Sequence, residues 1–273
     1  MVEAIKAGGL TLGGEGAPLF LIAGPCVVQT EEIVLEIAAG VKEICARHGV
    51  PYIFKASFDK ANRSSGKSAR GPGLERGLKA IKRVKDELGL PCLTDVHAIE
   101  QIGPAAEVCD VLQIPAFLCR QTDLLTAAGK SGVAVNIKKG QFMAPWDMKH
   151  ALAKVIDAGN ENVCITERGA SFGYNNLVSD MRALPIMRDF GKPVVFDATH
   201  SLQLPGGLGD KTGGMREYIP HLARAAVATG VDGLFAEVHT DPSSSPSDAA
   251  NMLRLDELEP LLETLVKIKA LVS

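Results

Sequence analysis

At 273 residues, the chain exceeds a minimal domain and matches the roughly 250 residues of one α/β barrel. A net charge of −3 with no long basic stripe argues against a nucleic-acid partner, and the apolar runs are strand-length, not the roughly 20 residues of a membrane helix. Hydrophobic residues are 46% of the chain but aromatics only 5%, so Leu, Val, Ile and Ala must fill the core, as in barrels of parallel strands.

The first stretch, Ala4–Leu12, contains Gly8-Gly9 and predicts a short hairpin covering the lower end of a barrel. The N-terminus lacks a basic segment followed by an apolar one, so no secretion signal is expected. A cytoplasmic location follows, with Cys26, Cys45, Cys92, Cys109, Cys119 and Cys164 as reduced thiols, because they form no CxxC and no short disulfide framework.

Eight β-branched runs predict strands at 19–24, 52–57, 91–96, 111–115, 133–139, 162–169, 193–199 and 233–239. Helical periodicity appears between them. Residues 30–49 place Ile33, Ile37, Val41 and Ile44 on one face and stop near Gly49. Residues 73–90 repeat this with Leu74, Leu78, Ile81 and Leu88. Residues 145–160 open on Pro145, and 255–272 close the chain with Pro260 expected in the first turn. Eight strands alternating with helices predict a (β/α)8 TIM barrel with a short N-terminal hairpin at its bottom. An open doubly wound sheet is the alternative, disfavoured because no Gly-rich dinucleotide loop follows the first strand. No linker or repeat interrupts residues 1–273, so one domain is expected.

In such a barrel, chemistry sits at the C-terminal ends of the strands. There the chain places Cys26; Lys55 with Lys60, Asn62 and Arg63; Asp95 and His97; Gln113; Asn136, Lys138, Lys139 and Gln141; Glu167 and Arg168; Asp197 and His200; Glu237 and His239. Charges at strand ends that meet water are ordinary. Lys55, Lys138 and Arg168 are harder to dismiss, because they directly continue buried strands and a desolvated cation is costly unless paired. With few acids expected beside them, these cations predict a pocket for phosphate or carboxylate ligands.

Cys26, His200, Glu237 and Asp248 could converge as metal ligands, since the first and eighth strands are neighbours in a closed barrel. Thiolate, imidazole and carboxylate together suit borderline divalent ions. A lone cysteine after a strand is more often a packed core atom. Composition and spacing leave both readings of Cys26 open.

The stretches "GPCVVQT" (24–30), "FKASFDKANRSS" (54–65), "LTDVH" (93–97), "QIPAFLCRQTDLL" (113–125), "NIKKGQF" (136–142), "ERGASFGYNNLVSDMRAL" (167–184), "FDATHSLQLPGG" (196–207) and "FAEVHTDPSSSPSDAANM" (235–252) span nearly the whole chain. In order and content they resemble the 3-deoxy-D-manno-octulosonate 8-phosphate synthases. The related 3-deoxy-D-arabino-heptulosonate 7-phosphate synthases, which use erythrose 4-phosphate, usually carry a KPRTS-type segment where this chain has "KANRSS" (60–65).

The resemblance implies condensation of phosphoenolpyruvate with arabinose 5-phosphate and water, feeding lipopolysaccharide synthesis, in a homotetramer. It implies that Lys60, Lys138 and Arg168 hold phosphoenolpyruvate, with Lys55, Gln113 and the Ala116 backbone in the same pocket. Asn62, Arg63 and Ser64 match the segment binding the pentose phosphate. Arg120 matches a residue reaching a neighbouring subunit. Asp95 and Gln141 would orient polar groups or water. The family has metal-dependent members with Cys at position 26 and metal-independent members with Asn. Cys26 with His200, Glu237 and Asp248 therefore implies a divalent ion, Zn, Fe or Mn, and no organic cofactor. That ion would position water or orient the aldehyde; His200, Glu237 and Asp248 would be ligands or proton carriers.

Overall fold

The computed structural model describes residues 1–62, 66, 68–207 and 213–272. Eight parallel strands form the barrel: Phe20–Gly24, Tyr52–Lys55, Cys92–Asp95, Val111–Ile114, Ala134–Lys138, Val163–Glu167, Val194–Asp197 and Gly233–His239. Each pairs with the next in chain order, from Leu21↔Tyr52 onward. The ring closes where the eighth strand pairs in parallel with the first, Gly233↔Phe20 through Glu237↔Gly24. All eight expected strands are present, each trimmed at one end or both except the eighth. The expected (β/α)8 TIM barrel is what the chain forms.

Pleating divides the strands between two cores. Phe20, Ile22, Ile53, Leu93, Val111, Ala134, Cys164, Val195 and Phe235 face inward and fill the barrel. Their neighbours, among them Leu21, Phe54, Val135, Ile137, Val163 and Ile165, face outward against the helices. Alternation of two apolar faces explains why the strands read as continuous apolar runs.

The hairpin forms as expected, Ile5–Ala7 against Leu10–Leu12. Gly8 and Gly9 both take positive φ, 54° and 84°, as a two-residue turn matching strand twist demands. Ile5, Ala7 and Leu12 join the inward core and close the end opposite the site.

Helix α1 (Glu31–His48) starts where the Thr30 hydroxyl accepts from the Ile33 N–H at 3.3 Å and ends at left-handed Gly49. Helix α2 (Leu74–Leu88) ends the same way at Gly89. The remaining helices are α3 (Ile102–Val108), α4 (Thr122–Gly129), α5 (Met148–Ile156), α6 (Ala183–Arg188), α7 (Ile219–Ala228) and α8 (Leu255–Val272). Five of these, α3 to α7, have ten residues or fewer, and of the five only α5 announces a helical period in the sequence. Residues 145–147 form a 3-10 turn before α5, so that helix is shorter than the periodicity predicts. Pro260 lies inside α8, one turn further along than expected, where it removes the backbone bond to Asp256. Among the described residues, no helix is long and apolar enough to cross a membrane.

Gly24 shows how tightly the first strand approaches the second. A Cβ there would lie 2.1 Å from the Lys55 carbonyl oxygen, and φ is 153°. Gly24→Ala is expected to cost on the order of 3 kcal/mol, the upper end of overpacking costs, because backbone cannot step aside as a side chain can. Thermal melting checks this; an unchanged midpoint would contradict the packing described.

Candidate functional site

The C-terminal mouth of the barrel encloses a cavity of about 720 Å³, within the range of small-molecule sites. Lys55, Lys60, Asn62, Asp95, Gln113, Ala116, Lys138, Gln141, Arg168, His200 and Asp248 all line it. Cys26 and Glu237 are buried behind the lining residues, Cys26 against Asp248 at 3.1 Å and Glu237 against Lys55 at 3.1 Å. Residues from all eight strand ends thus meet as expected. Arg120 does not join them: it is exposed and lines a separate cavity with Cys119, Met143, Asp147, His150 and Lys154. Arg63 and Ser64 lie outside the described residues.

A ladder of buried polar groups crosses the interior below the cavity. The Ser57 hydroxyl and the Gln113 amide donate to the two oxygens of Asp95. Gln113 in turn accepts from Asn136 at 2.9 Å, and Asn136 accepts from the Thr166 hydroxyl at 2.7 Å. Polar groups buried this deeply hold one arrangement when satisfied. The ladder runs across strands two to six and holds Asp95 and Gln113 in place. Lys60 and Lys55 beside Asp95 hold its carboxyl well below the usual range, although burial pushes the other way.

Four carboxylates share the mouth with the cations, more than the sequence led us to expect. Lys138 pairs with Asp197 and lies over the Phe235 ring at 3.6 Å from its centroid. Lys55 donates to the Cys26 carbonyl at 2.9 Å and to Glu237 at 3.1 Å. Lys60 stands 3.7 Å from Glu237 and 4.0 Å from Asp95. Asp95, Asp197 and Glu237 come from different strands and Asp248 from the loop after the eighth, which is why local sequence does not place them beside the cations. Burial lowers the affinity of Lys138 for its proton despite Asp197. Burial acts the same way on Lys60, but Cys26, Glu237, Asp95 and Asp248 around it prevail and raise it well above the ordinary lysine value.

Arg168 is the exception among these paired cations. Its Nη2 donates to the Gln203 amide oxygen at 2.6 Å, while Nη1 is buried with no hydrogen-bond partner among the described residues. Burial lowers its pKa although Asp197 and Asp248 oppose the shift. A buried guanidinium donor without an acceptor is costly, and an anion in the cavity supplies what it lacks.

His200 is held by Asp197, which the sequence shows at a strand end but gives no evident task. Its Nδ1 lies 2.7 Å from Asp197 Oδ2, and its backbone N–H donates to Asp197 Oδ1 at 2.8 Å. His200 Nε2 lies 3.3 Å from Glu237 Oε1. Burial disfavours the imidazolium, but Asp197 and Glu237 raise the His200 pKa overall. Gln203, also unforeseen, bridges Arg168 to Asp248 by donating to the latter at 3.0 Å.

Cys26, Glu237 and Asp248 each bring one donor atom to a group lying within 4.8 Å. The Cys26 thiol donates to Asp248 Oδ2 at 3.1 Å. Among the described residues, Glu237 Oε2 is buried without a hydrogen-bond partner, so that oxygen can serve as a ligand atom. One thiol and two carboxylates this close, with an imidazole adjoining, match the donor chemistry of a borderline divalent ion. Burial and Glu237 push the Cys26 thiol well above its ordinary pKa, although Lys60 and Lys55 oppose the shift. Of the four groups expected to converge, His200 adjoins the trio through Glu237 and is not within it.

His97 lines the cavity. His239 does not: its Nδ1 accepts from the Asp241 N–H at 3.0 Å, which leaves Nε2 to donate to Gln29 Oε1 at 3.1 Å.

A closed (β/α)8 barrel with a cation-lined cavity at its C-terminal mouth defines a barrel that takes small anionic ligands. The DAHP synthetase I family model matches residues 4–273, and the chain belongs to that family. Among similar proteins, the 2-dehydro-3-deoxyphosphooctonate aldolase of Geotalea daltonii is 58% identical over 273 residues, covering 100% of both chains. The protein of the same name from Desulfatibacillum aliphaticivorans is 62% identical over 260 residues, 95% of each. That from Desulfotalea psychrophila is 56% identical over 262 residues, 96% of this chain and 94% of the relative.

Proposed function

We propose that the chain is a 3-deoxy-D-manno-octulosonate 8-phosphate synthase, condensing phosphoenolpyruvate with arabinose 5-phosphate and water and releasing phosphate. The observation that carries this reading is the buried, unpartnered Nη1 of Arg168 in a cavity that also holds Lys55, Lys60 and Lys138. The full-length relatives of one name make the octulosonate chemistry the leading choice over the heptulosonate one.

Lys60, Lys138 and Arg168 hold the carboxylate and phosphate of phosphoenolpyruvate, with Lys55, Gln113 and the Ala116 backbone completing the pocket. Carbon 3 forms the new bond to the aldehyde carbon with the π pair of the carbon 2–carbon 3 double bond, and the oxygen of water adds at carbon 2. The bond from carbon 2 to the phosphate oxygen then breaks to leave a ketone, one water proton having gone to the aldehyde oxygen and the other leaving with phosphate. Fixed cations suit this step because charge moves between groups they already contact. Asp95 has both oxygens engaged by the ladder, and so orients its neighbours. Gln141 Oε1 is buried without a partner among the described residues and its side chain lines the same cavity, suited to accept from water or a sugar hydroxyl. Asn62, Arg63 and Ser64 take the pentose phosphate.

Cys26, Glu237 and Asp248, with His200 beside them, hold a divalent ion, which when bound supplies Lewis-acid polarisation of an oxygen. A cytoplasmic homotetramer completes the reading, supported by Phe117, Phe142, Trp146 and Phe172, which are 53–70% exposed on loops following strands four to six. In that assembly, the exposed Arg120 reaches a neighbour.

Replacing arabinose 5-phosphate by erythrose 4-phosphate separates the two sugar specificities. The octulosonate reading expects kcat/KM to fall by about 100-fold or more, because cavity contacts for the longer sugar go unmade. Equal or higher activity with erythrose 4-phosphate would assign the heptulosonate reaction.

A further inference from the structure

Lys139 and Glu167 are each 2% exposed, and no role in the cavity accounts for them. They follow or end the fifth and sixth strands, beside Lys138 and Arg168 in the chain. Strand alternation turns the two pairs opposite ways. Ala134 and Cys164 face the barrel interior, Val135, Ile137, Val163 and Ile165 face the helices, and Lys139 and Glu167 continue the outer series. Behind the wall, Lys139 Nζ and Glu167 Oε2 lie 3.4 Å apart.

Each partner also grips the loop that follows its strand. Lys139 Nζ donates to the Gly140 carbonyl at 3.3 Å and the Met143 carbonyl at 3.2 Å, spanning the turn that carries Gln141. Glu167 Oε1 accepts from the Gly169 N–H at 2.6 Å, closing the turn around Arg168. The two loops are tied again where the Ser171 N–H donates to the Gln141 carbonyl at 2.9 Å. A buried ion pair is weak as a source of stability, since apolar residues of like volume often do as well or better. Its value here is geometric.

We propose that Lys139 and Glu167 are a positioning pair, a brace outside the barrel wall that sets the angle at which Lys138, Gln141 and Arg168 face the anion inside. The inference rests on the reading of the cavity as a phosphoenolpyruvate site. The brace touches no ligand; it acts through the loops.

The test is the double variant Lys139→Met/Glu167→Gln, which keeps side-chain volume and leaves an acceptor for the Gly169 N–H. Phosphoenolpyruvate is titrated calorimetrically into wild type and variant, and steady-state kinetics are measured on both. The brace predicts an unchanged or higher melting temperature, a phosphoenolpyruvate Kd and KM raised about ten-fold or more, and a much smaller change in kcat. Lys139→Arg, which preserves the pair, is expected to bind as wild type does. A folded double variant with wild-type affinity overturns the proposal. If the double variant does not fold, Glu167→Asp against Lys139→Arg decides: the first must weaken binding, the second must not, and equal affinities overturn it. Wild type that binds no phosphoenolpyruvate would remove the cavity reading and the brace together. Wild-type binding with unaltered variants would remove the brace alone.

Discussion

Arg168→Ala should lose about 3 kcal/mol of phosphoenolpyruvate binding, on the order of a hundred-fold in Kd, without losing thermal stability. The two halves of this result come from one fact. Arg168 is buried with Nη1 unpartnered, and burial lowers its pKa, so without an anion the folded chain bears the desolvation cost of this charge. Removing the guanidinium lifts that cost and exposes only the Gln203 amide oxygen, which can turn to water in an open mouth. An arginine kept for stability would behave oppositely, with a lower melting temperature and unaltered ligand affinity. Calorimetric titration beside a melting curve distinguishes them.

Cys26→Asn should abolish stoichiometric binding of a divalent ion. The thiol is one of three donor atoms within 4.8 Å of one another, and it alone among them is soft. Removing a ligand should exceed the roughly 10–100-fold loss that follows changes to groups supporting ligands. Metal counted per subunit after dialysis against a buffered trace of Zn²⁺ reads the effect directly. One ion per subunit retained in the variant would return Cys26 to the packed core and leave Glu237 and Asp248 as partners of Lys60 and Lys55.

Much of the barrel was legible because period-2 and period-3.6 patterns are local. Eight apolar runs such as Val163–Glu167 carry their strand character in adjacent residues, and α1 carries its limits in Thr30 and Gly49. The short helices were not legible: α6, with six residues and Pro185, completes fewer than two turns. Pro260 was misplaced because an N-terminal proline and an interior one look alike when the helix start is uncertain by a turn.

The site was legible to the extent that barrel topology sends strand ends to one mouth. Lys138 and Arg168 were found because a cation interrupting an apolar strand is anomalous on sight. Asp197 was visible but ambiguous, since its bonds to Lys138 and His200 depend on tertiary approach. Gln203 carried no signal, for an amide beside a short turn is ordinary. Arg120, which the resemblance assigns to a neighbouring subunit's site, is exposed and lines another cavity.

The central claim is that this cavity joins two phosphorylated substrates and does not merely bind them. The most direct measurement incubates the metal-loaded protein with phosphoenolpyruvate and arabinose 5-phosphate, together and singly, following phosphate release and product mass. The account predicts phosphate only when both are present, in equal amount to one eight-carbon sugar acid phosphate. Tight binding of phosphoenolpyruvate with no phosphate released in the presence of the sugar would contradict it, and would make the protein an anion-binding barrel without this chemistry.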